Sequence, residues 1–284
     1  MKKNAIWVLF LLLNLTACSQ KNENTKSNAE KGNVKELIEG EHHDNQNYYI
    51  FKKNQKFGIC DGVGNIIIPA QFDEFGQRND NYYVEQKNGN YILYWLDVKN
   101  KKLVSLPQFA DFHFNISDNI DVFTDENQKF GVYKNRKEVL LPFSYFKMNK
   151  FGNTILGRKE GLKVVDAFDT KLVPKSGIDF SDFRLLSEKE QLVAVEKEGK
   201  WGVVNYDLKQ VVPYRYSNIN ELQSHGGYFI VSQKENNKNL FGIIDVKGKV
   251  IVALNYCDIE EEGTRIKFCK NDKYSIVAFE EFIK

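Results

Sequence analysis

A chain of 284 residues that is 42% hydrophobic and 13% aromatic can bury a sizeable core, which excludes a wholly disordered protein. Its 40 basic and 38 acidic residues lack the basic excess that phosphate binding selects, so nucleic acid is not an expected partner. Four cysteines in that length are too few for a disulfide scaffold.

At the start, Lys2 and Lys3 precede an apolar run from Ala5 to Leu13 that ends in Leu15-Thr16-Ala17-Cys18. Residues 1–17 therefore read as a secretory signal peptide, too short for the about 20 apolar residues of a spanning helix. Leu-Thr-Ala-Cys resembles the lipobox of bacterial lipoproteins, and the resemblance implies that Cys18 becomes the lipid-bearing first residue of the mature chain. Lipid, at about 0.8 kcal/mol per buried methylene, would hold the protein at a membrane of the cell envelope, the outer membrane included, facing the periplasm or the surface. Loss of Lys2 and Lys3 lowers the basic count to 38, equal to the acidic one, so the mature chain is expected to be neutral. Residues 18–46 are rich in Asn, Lys, Glu and Ser, with Val34, Leu37 and Ile38 as the rare large apolar side chains. Such a composition cannot offset its chain entropy by burial and reads as a flexible tether.

From Asn47 to the end, short runs of Tyr, Phe, Val and Ile alternate with Gly, Asn and Asp, which are strand and turn signals. Pro69, Pro107, Pro142, Pro174 and Pro213 recur at spacings of 38, 35, 32 and 39 residues. Twelve residues ahead of four of them stands Phe57, Phe130, Leu162 or Trp201, and Phe241 keeps that distance to Ala253. Glycine follows the ring in Phe57-Gly58, Phe130-Gly131, Trp201-Gly202 and Phe241-Gly242, and after a polar turn come Ile66-Ile67-Ile68-Pro69, Val139-Leu140-Leu141-Pro142, Val211-Val212-Pro213 and Val250-Ile251-Val252. Three residues past each proline or its counterpart stands Phe72, Tyr145, Tyr216 or Tyr256.

This pattern resembles the bacterial WG, or KWG, repeat, with Lys200-Trp201-Gly202 through Tyr216 as the best copy. Two copies depart from it: Gly161-Leu162-Lys163-Val164-Val165 has lost ring and glycine, and Tyr91-Ile92-Leu93-Tyr94 reaches Pro107 through an insertion. Tyr274-Ser275-Ile276-Val277 starts a truncated seventh unit. The resemblance spans residues 47–284 and implies an envelope location and an interaction role; it carries over no catalytic residue.

One unit can be read without the family. Alternation puts Phe57 and Ile59 on one face of a strand and Gly58 on the other, where a neighbouring repeat is expected to pack over it. Asp61 to Asn65 turns the chain into Ile66–Ile68, which is apolar on both faces and must be covered on both. Proline, lacking an amide donor, is expected at the strand end. A further strand precedes each ring, as in Tyr49-Ile50-Phe51 or Val193-Ala194-Val195. The expected fold is all-β: tandem three-stranded WG-type repeats stacked into one curved array, either a propeller-like ring or a β-solenoid.

Of the mature cysteines, Cys60 takes the place of Val204 and Ile244 and reads as a small core residue, while Cys257 and Cys269 are close enough in sequence to form a disulfide, which sequence leaves open. Neither metal spacing nor a catalytic motif is found, and no cofactor is expected. His42, His43, His113 and His225 read as solvated, and Asp258 to Glu262 as a solvated turn. The leading expectation is a non-catalytic, membrane-anchored binding module for a protein or glycan partner. Its rivals are a glycan-active hydrolase with carboxylates assembled across repeats and a purely structural envelope spacer.

Overall fold

The computed structural model describes residues 47–79 and 81–282, so Cys18, the signal, the tether and His42-His43 lie outside the described residues. Within them the chain forms seven successive antiparallel blades. Blade 1 is β1 (Tyr48–Lys53), β2 (Lys56–Asp61) and β3 (Ile66–Phe72). Blade 2 is β4 (Phe75–Gln77), β5 (Tyr82–Lys87), β6 (Asn90–Asp97) and β7 (Lys102–Ser105). Blade 3 is β8 (Asp111–Ser117), β9 (Ile120–Thr124), β10 (Phe130–Lys134) and the first half of β11 (Glu138–Phe151). The second half of β11 opens blade 4, followed by β12 (Thr154–Lys159) and β13 (Val165–Asp169). Blade 5 is β14 (Asp182–Ser187), β15 (Leu192–Lys197), β16 (Lys200–Asn205) and β17 (Gln210–Tyr216). Blade 6 is β18 (Asn218–Glu221), β19 (Tyr228–Glu235), β20 (Lys238–Asp245) and β21 (Val250–Tyr256). Blade 7 is β22 (Asp258–Glu262), β23 (Arg265–Lys270) and β24 (Lys273–Ala278).

The fold is all-β, and the predicted repeat hairpins are its blades. In most blades a short first strand joins the three legible in the sequence. Within each blade every strand pairs antiparallel with its neighbours in sequence, and only the continuous β11 carries a ladder from one blade into the next. That is the propeller-like alternative; a solenoid would run ladders from rung to rung.

The ring-glycine pattern has a local cause. Phe57 pairs with Phe72 but Ile59 pairs with Ile68, so β3 bulges between them, and the same jump recurs at Trp201↔Tyr216 and Val203↔Val212. The bulge holds the proline, which sits inside the strand and not at its end as expected, because a bulge leaves an amide unneeded. It also folds the residue after proline back over the glycine. A Cβ on Gly202 would lie 2.5 Å from the Tyr214 ring and 2.7 Å from the Val212 carbonyl; on Gly58 it would lie 2.6 Å from the Ile68 carbonyl and 2.7 Å from Phe51. The cover comes from the glycine's own blade, which corrects the expected neighbouring repeat. Ile59, Val132, Val203 and Ile243, two residues after each glycine's ring, are wholly buried, a gain of about 1.5–3 kcal/mol each. The rings themselves are half-buried, with Arg184 lying 4.3 Å over Trp201.

Blade 4 corrects the phase of Pro174. Leu162 and Val164, read as the degenerate ring strand, are exposed in a turn. The hairpin register places Val165 opposite Arg158 as Trp201 is opposite Glu196, and Asp169 turns the chain as Asp61 and Asn205 do. Val165-Asp166-Ala167-Phe168 is thus the true counterpart of Phe57-Gly58-Ile59-Cys60, three residues later than the proline spacing implied. A longer turn after Lys159 absorbs the difference.

Six hydrophobic clusters hold the array, each shared by blades adjacent in sequence. Ile59, Ile68 and Phe72 of blade 1, for example, pack on Tyr83 and Leu96 of blade 2. Among the described residues no cluster joins blade 7 to blade 1. Polar links run along the first strands as well: Arg78 to Asp111 at 2.8 Å, Lys147 to Asp182 at 3.0 Å, and Arg184 to Asn218. Cys257 and Cys269 form a disulfide in blade 7 with Cα atoms 5.2 Å apart, and Cys60 is a buried free thiol that burial pushes up in pKa.

Candidate functional site

Blades 2, 3 and 4 frame a polar pocket of about 560 Å³. At its base is Asp121 of β9, only 1% exposed, a charged residue inside a strand whose other members are apolar or hydroxylated. Strand alternation aims it away from Val122, toward blade 2. There the Tyr82 hydroxyl donates to Asp121 Oδ2 at 2.6 Å, and the Asn115 amide donates to Oδ1. Burial pushes the Asp121 carboxyl up in pKa, against the pull of those two donors and of Arg136. Burial and the adjacent carboxylate together push the Tyr82 phenol well above its usual range, so it stays a donor.

Arg136 reaches the pocket from the turn between β10 and β11. Asn135 and Arg136 both have positive φ, 51° and 61°, the geometry of a tight hairpin turn. The turn is pinned by the Asn135 amide, which donates to the Asn119 carbonyl at 2.7 Å. The guanidinium lies over the Trp95 ring, 4.0 Å from its centroid, with Nη1 3.9 Å from Asp121 Oδ2. From blade 4, Lys150 donates to the carbonyls of Asn115 and Ile116 at 3.2 and 3.0 Å. Asp118, exposed in the β8–β9 turn, and Asn81 complete the mouth.

The arrangement joins an aromatic plane, amides, a fixed guanidinium and carboxylates in one cleft, a set suited to polar ligands with many hydroxyl groups. Asp121 is spent on neighbouring donors, and so holds the site's shape. Two carboxylates, Asp118 and Asp121, nevertheless line one pocket.

The residues singled out in the sequence lie elsewhere. Phe57, Gly58, Pro69, Phe130, Gly131, Pro142, Trp201, Gly202, Pro213, Phe241 and Gly242 build blades, and none of them lines this cleft. His113 rests on Phe130, ring centroids 4.6 Å apart. His225, read as solvated, instead packs on Phe279 at 4.8 Å, meets Ser224 Oγ at 2.8 Å and lies 3.6 Å from Glu280. The acidic run 258–262 is not a solvated turn but strand β22. Its Glu261 accepts from the amides of Gln223 and Ser224 at 3.0 and 2.6 Å, latching blade 7 to blade 6. Those donors outweigh the cost of partial burial and hold the Glu261 carboxyl below its usual pKa. Sequence reading passed over Asp121 and Arg136; the one available signal was an aspartate amid the apolar strand residues Ile120, Val122 and Phe123.

Residues 57–91 and 201–238 match the family described as WG containing repeat. Those two segments carry the WG repeat. The two matched segments open on the Phe57-Gly58 and Trp201-Gly202 pairs of blades 1 and 5, so the WG signature marks the strand before each blade's last, β2 and β16, where the bulge demands glycine. No curated protein matches this chain. Among solved structures, it is similar to Kluyveromyces lactis Hsv2, at 12% identity over 78% of this chain and 86% of that one, TM-score 0.35. It is also similar to the tricorn protease, at 10% identity over 84% of this chain and 33% of that one, TM-score 0.34. A eukaryotic initiation factor overlaps at 7% identity, over 72% of this chain and 61% of that one, TM-score 0.39.

Proposed function

We propose that this WG-repeat chain is an envelope lipoprotein, tethered through Cys18, whose blades form a non-catalytic glycan-binding module. The observation that carries the binding role is the pocket of blades 2–4. It sets Trp95, Arg136, Asn115 and Asp121 around about 560 Å³ of polar space, with the shape-holding carboxylate already hydrogen-bonded. Amides and carboxylates beside a guanidinium held flat on Trp95 suit the hydroxyl edge of a sugar ring. The lipobox supports the tether, and the neutral charge of the mature sequence argues against nucleic acid.

Titration of the purified chain with a panel of neutral and acidic oligosaccharides, followed by calorimetry and by product analysis, tests this reading. Saturable binding with intact sugars is expected, and binding by none of the panel refutes it. Metabolic labelling with a palmitate analogue should mark the wild type and not Cys18→Ser; an unlabelled wild type refutes the tether. A second reading, a glycan hydrolase, is favoured by one observation, the presence of both Asp118 and Asp121 in the pocket. Release of shortened sugars, lost in Asp118→Asn and Asp121→Asn, would establish it in place of the first.

A further inference from the structure

We propose that the glycan taken by this pocket is acidic, and that its sugar carboxylate docks on Arg136. The inference rests on the glycan-binding reading above and narrows it to one ligand chemistry.

A guanidinium has five N–H donors in a fixed fork and no acceptor. The nearest carboxylate oxygen, Asp121 Oδ2, stands 3.9 Å from Arg136 Nη1, beyond hydrogen-bonding distance, and already accepts from Tyr82 at 2.6 Å. Asp121 Oδ1 accepts from Asn115. The buried carboxylate thus neutralises charge without occupying the fork, one N–H of which meets the Tyr82 hydroxyl oxygen and leaves the others for a ligand. Trp95 at 4.0 Å supports one face of the guanidinium, which fixes its plane and leaves the edge as the means of contact. Beside it, Lys150 commits two hydrogen bonds to the Asn115 and Ile116 carbonyls and brings a second positive charge.

The inner part of the pocket therefore sets Arg136 against one buried carboxylate that leaves its fork with donors to spare. The mouth is mixed: Asp118 and Asn81 supply acceptors beside the exposed Lys150, where solvent screens charge. A ligand complementary to both ends carries a planar anion inward and hydroxyl donors outward, as a hexuronate does. Arginine grips such a group through paired, charge-assisted hydrogen bonds that lysine does not reproduce.

The test titrates the full chain with trigalacturonate, with its methyl ester and with an acetylated tripeptide ending in a free carboxylate, reading heat and tryptophan fluorescence. The acid should bind about tenfold or more tighter than the ester, a margin set by the charge-assisted pair. Arg136→Gln should erase that margin, and Arg136→Lys should restore it only in part. Perturbation of the Trp95 indole signal in the wild type on adding the acid, read by NMR, keeps the test independent of whether the variants fold. Equal binding of acid and ester overturns the acidic-ligand inference and leaves the glycan module standing. The tripeptide binding as tightly as the sugar acid overturns it in favour of a peptide terminus. Failure of both sugars to bind overturns this inference, and failure across the wider panel removes the module reading too.

Discussion

Gly202→Ala isolates the cause assigned to the repeat signature. The added methyl would lie 2.5 Å from Tyr214 Cδ1 and 2.7 Å from the Val212 carbonyl oxygen. A tyrosine ring can swing aside, but the carbonyl belongs to β17, whose Val212 is paired with Val203 and cannot retreat without breaking the ladder. Overpacking of this kind costs about 1–3 kcal/mol, and a backbone contact puts the expectation at about 2–3 kcal/mol. For a folded body of this size that is a fall in Tm of about 4–12 °C. Gly76→Ala is the control, since its Cβ would meet nothing within 4 Å; its melting temperature should match the wild type within about 2 °C. Gly131→Ala should fall between the two, because the nearest carbonyl there is 3.1 Å away. Thermal melts followed by circular dichroism, with urea midpoints alongside, read the series. If Gly202→Ala melts with Gly76→Ala, glycine is not required by the bulge and the account of the repeat is wrong.

Trp201→Ala should cost about 2 kcal/mol in urea denaturation, below the 3–5 kcal/mol of a fully buried ring, since the indole is half-exposed beneath Arg184; a loss above about 4 kcal/mol would contradict that burial. Burial holds the Asp121 carboxyl above its ordinary value, so the native state keeps its proton to higher pH than the unfolded chain does. Stability from this group should then decline as pH rises from about 4 toward the folded pKa, and Asp121→Asn should remove that decline; parallel stability profiles for the two proteins between pH 4 and 7 would refute it. Replacing Cys257 and Cys269 together by serine opens a loop of sequence separation 12 and should cost about 3 kcal/mol or less. Hydrogen exchange should rise in β22–β24 and stay unchanged in blades 1–5; uniform acceleration would show that blade 7 does not open separately.

The blades were legible because each repeats a local chemistry: a turn with aspartate or glycine, a ring-glycine pair and a β-branched run. Where chemistry and spacing diverged, spacing misled. Pro174 kept the period, yet the hydrogen-bonded register made Val165 and not Leu162 the ring counterpart, because turn lengths vary freely on a surface while strand pairing does not. The candidate site was hidden for another reason. Tyr82 comes from blade 2, while Asp121 and Arg136 stand on a strand and a turn of blade 3, and the three meet only through tertiary packing, so no short window of sequence contains them. Glu261 was likewise misread because its partners, Gln223 and Ser224, lie 38 and 37 residues away.

Because each apolar seam joins a blade only to its neighbours in sequence, cohesion passes along the array from link to link, and a defect is felt first by the two bodies that flank it. An interior blade is braced from both sides, whereas blade 7 leans on blade 6 through one seam, the Glu261 latch and its own disulfide. Loosening therefore begins at an extremity. Blades 2, 3 and 4 each sit between two braces, so the cleft they frame keeps its shape and its grip while the far terminus opens and recloses.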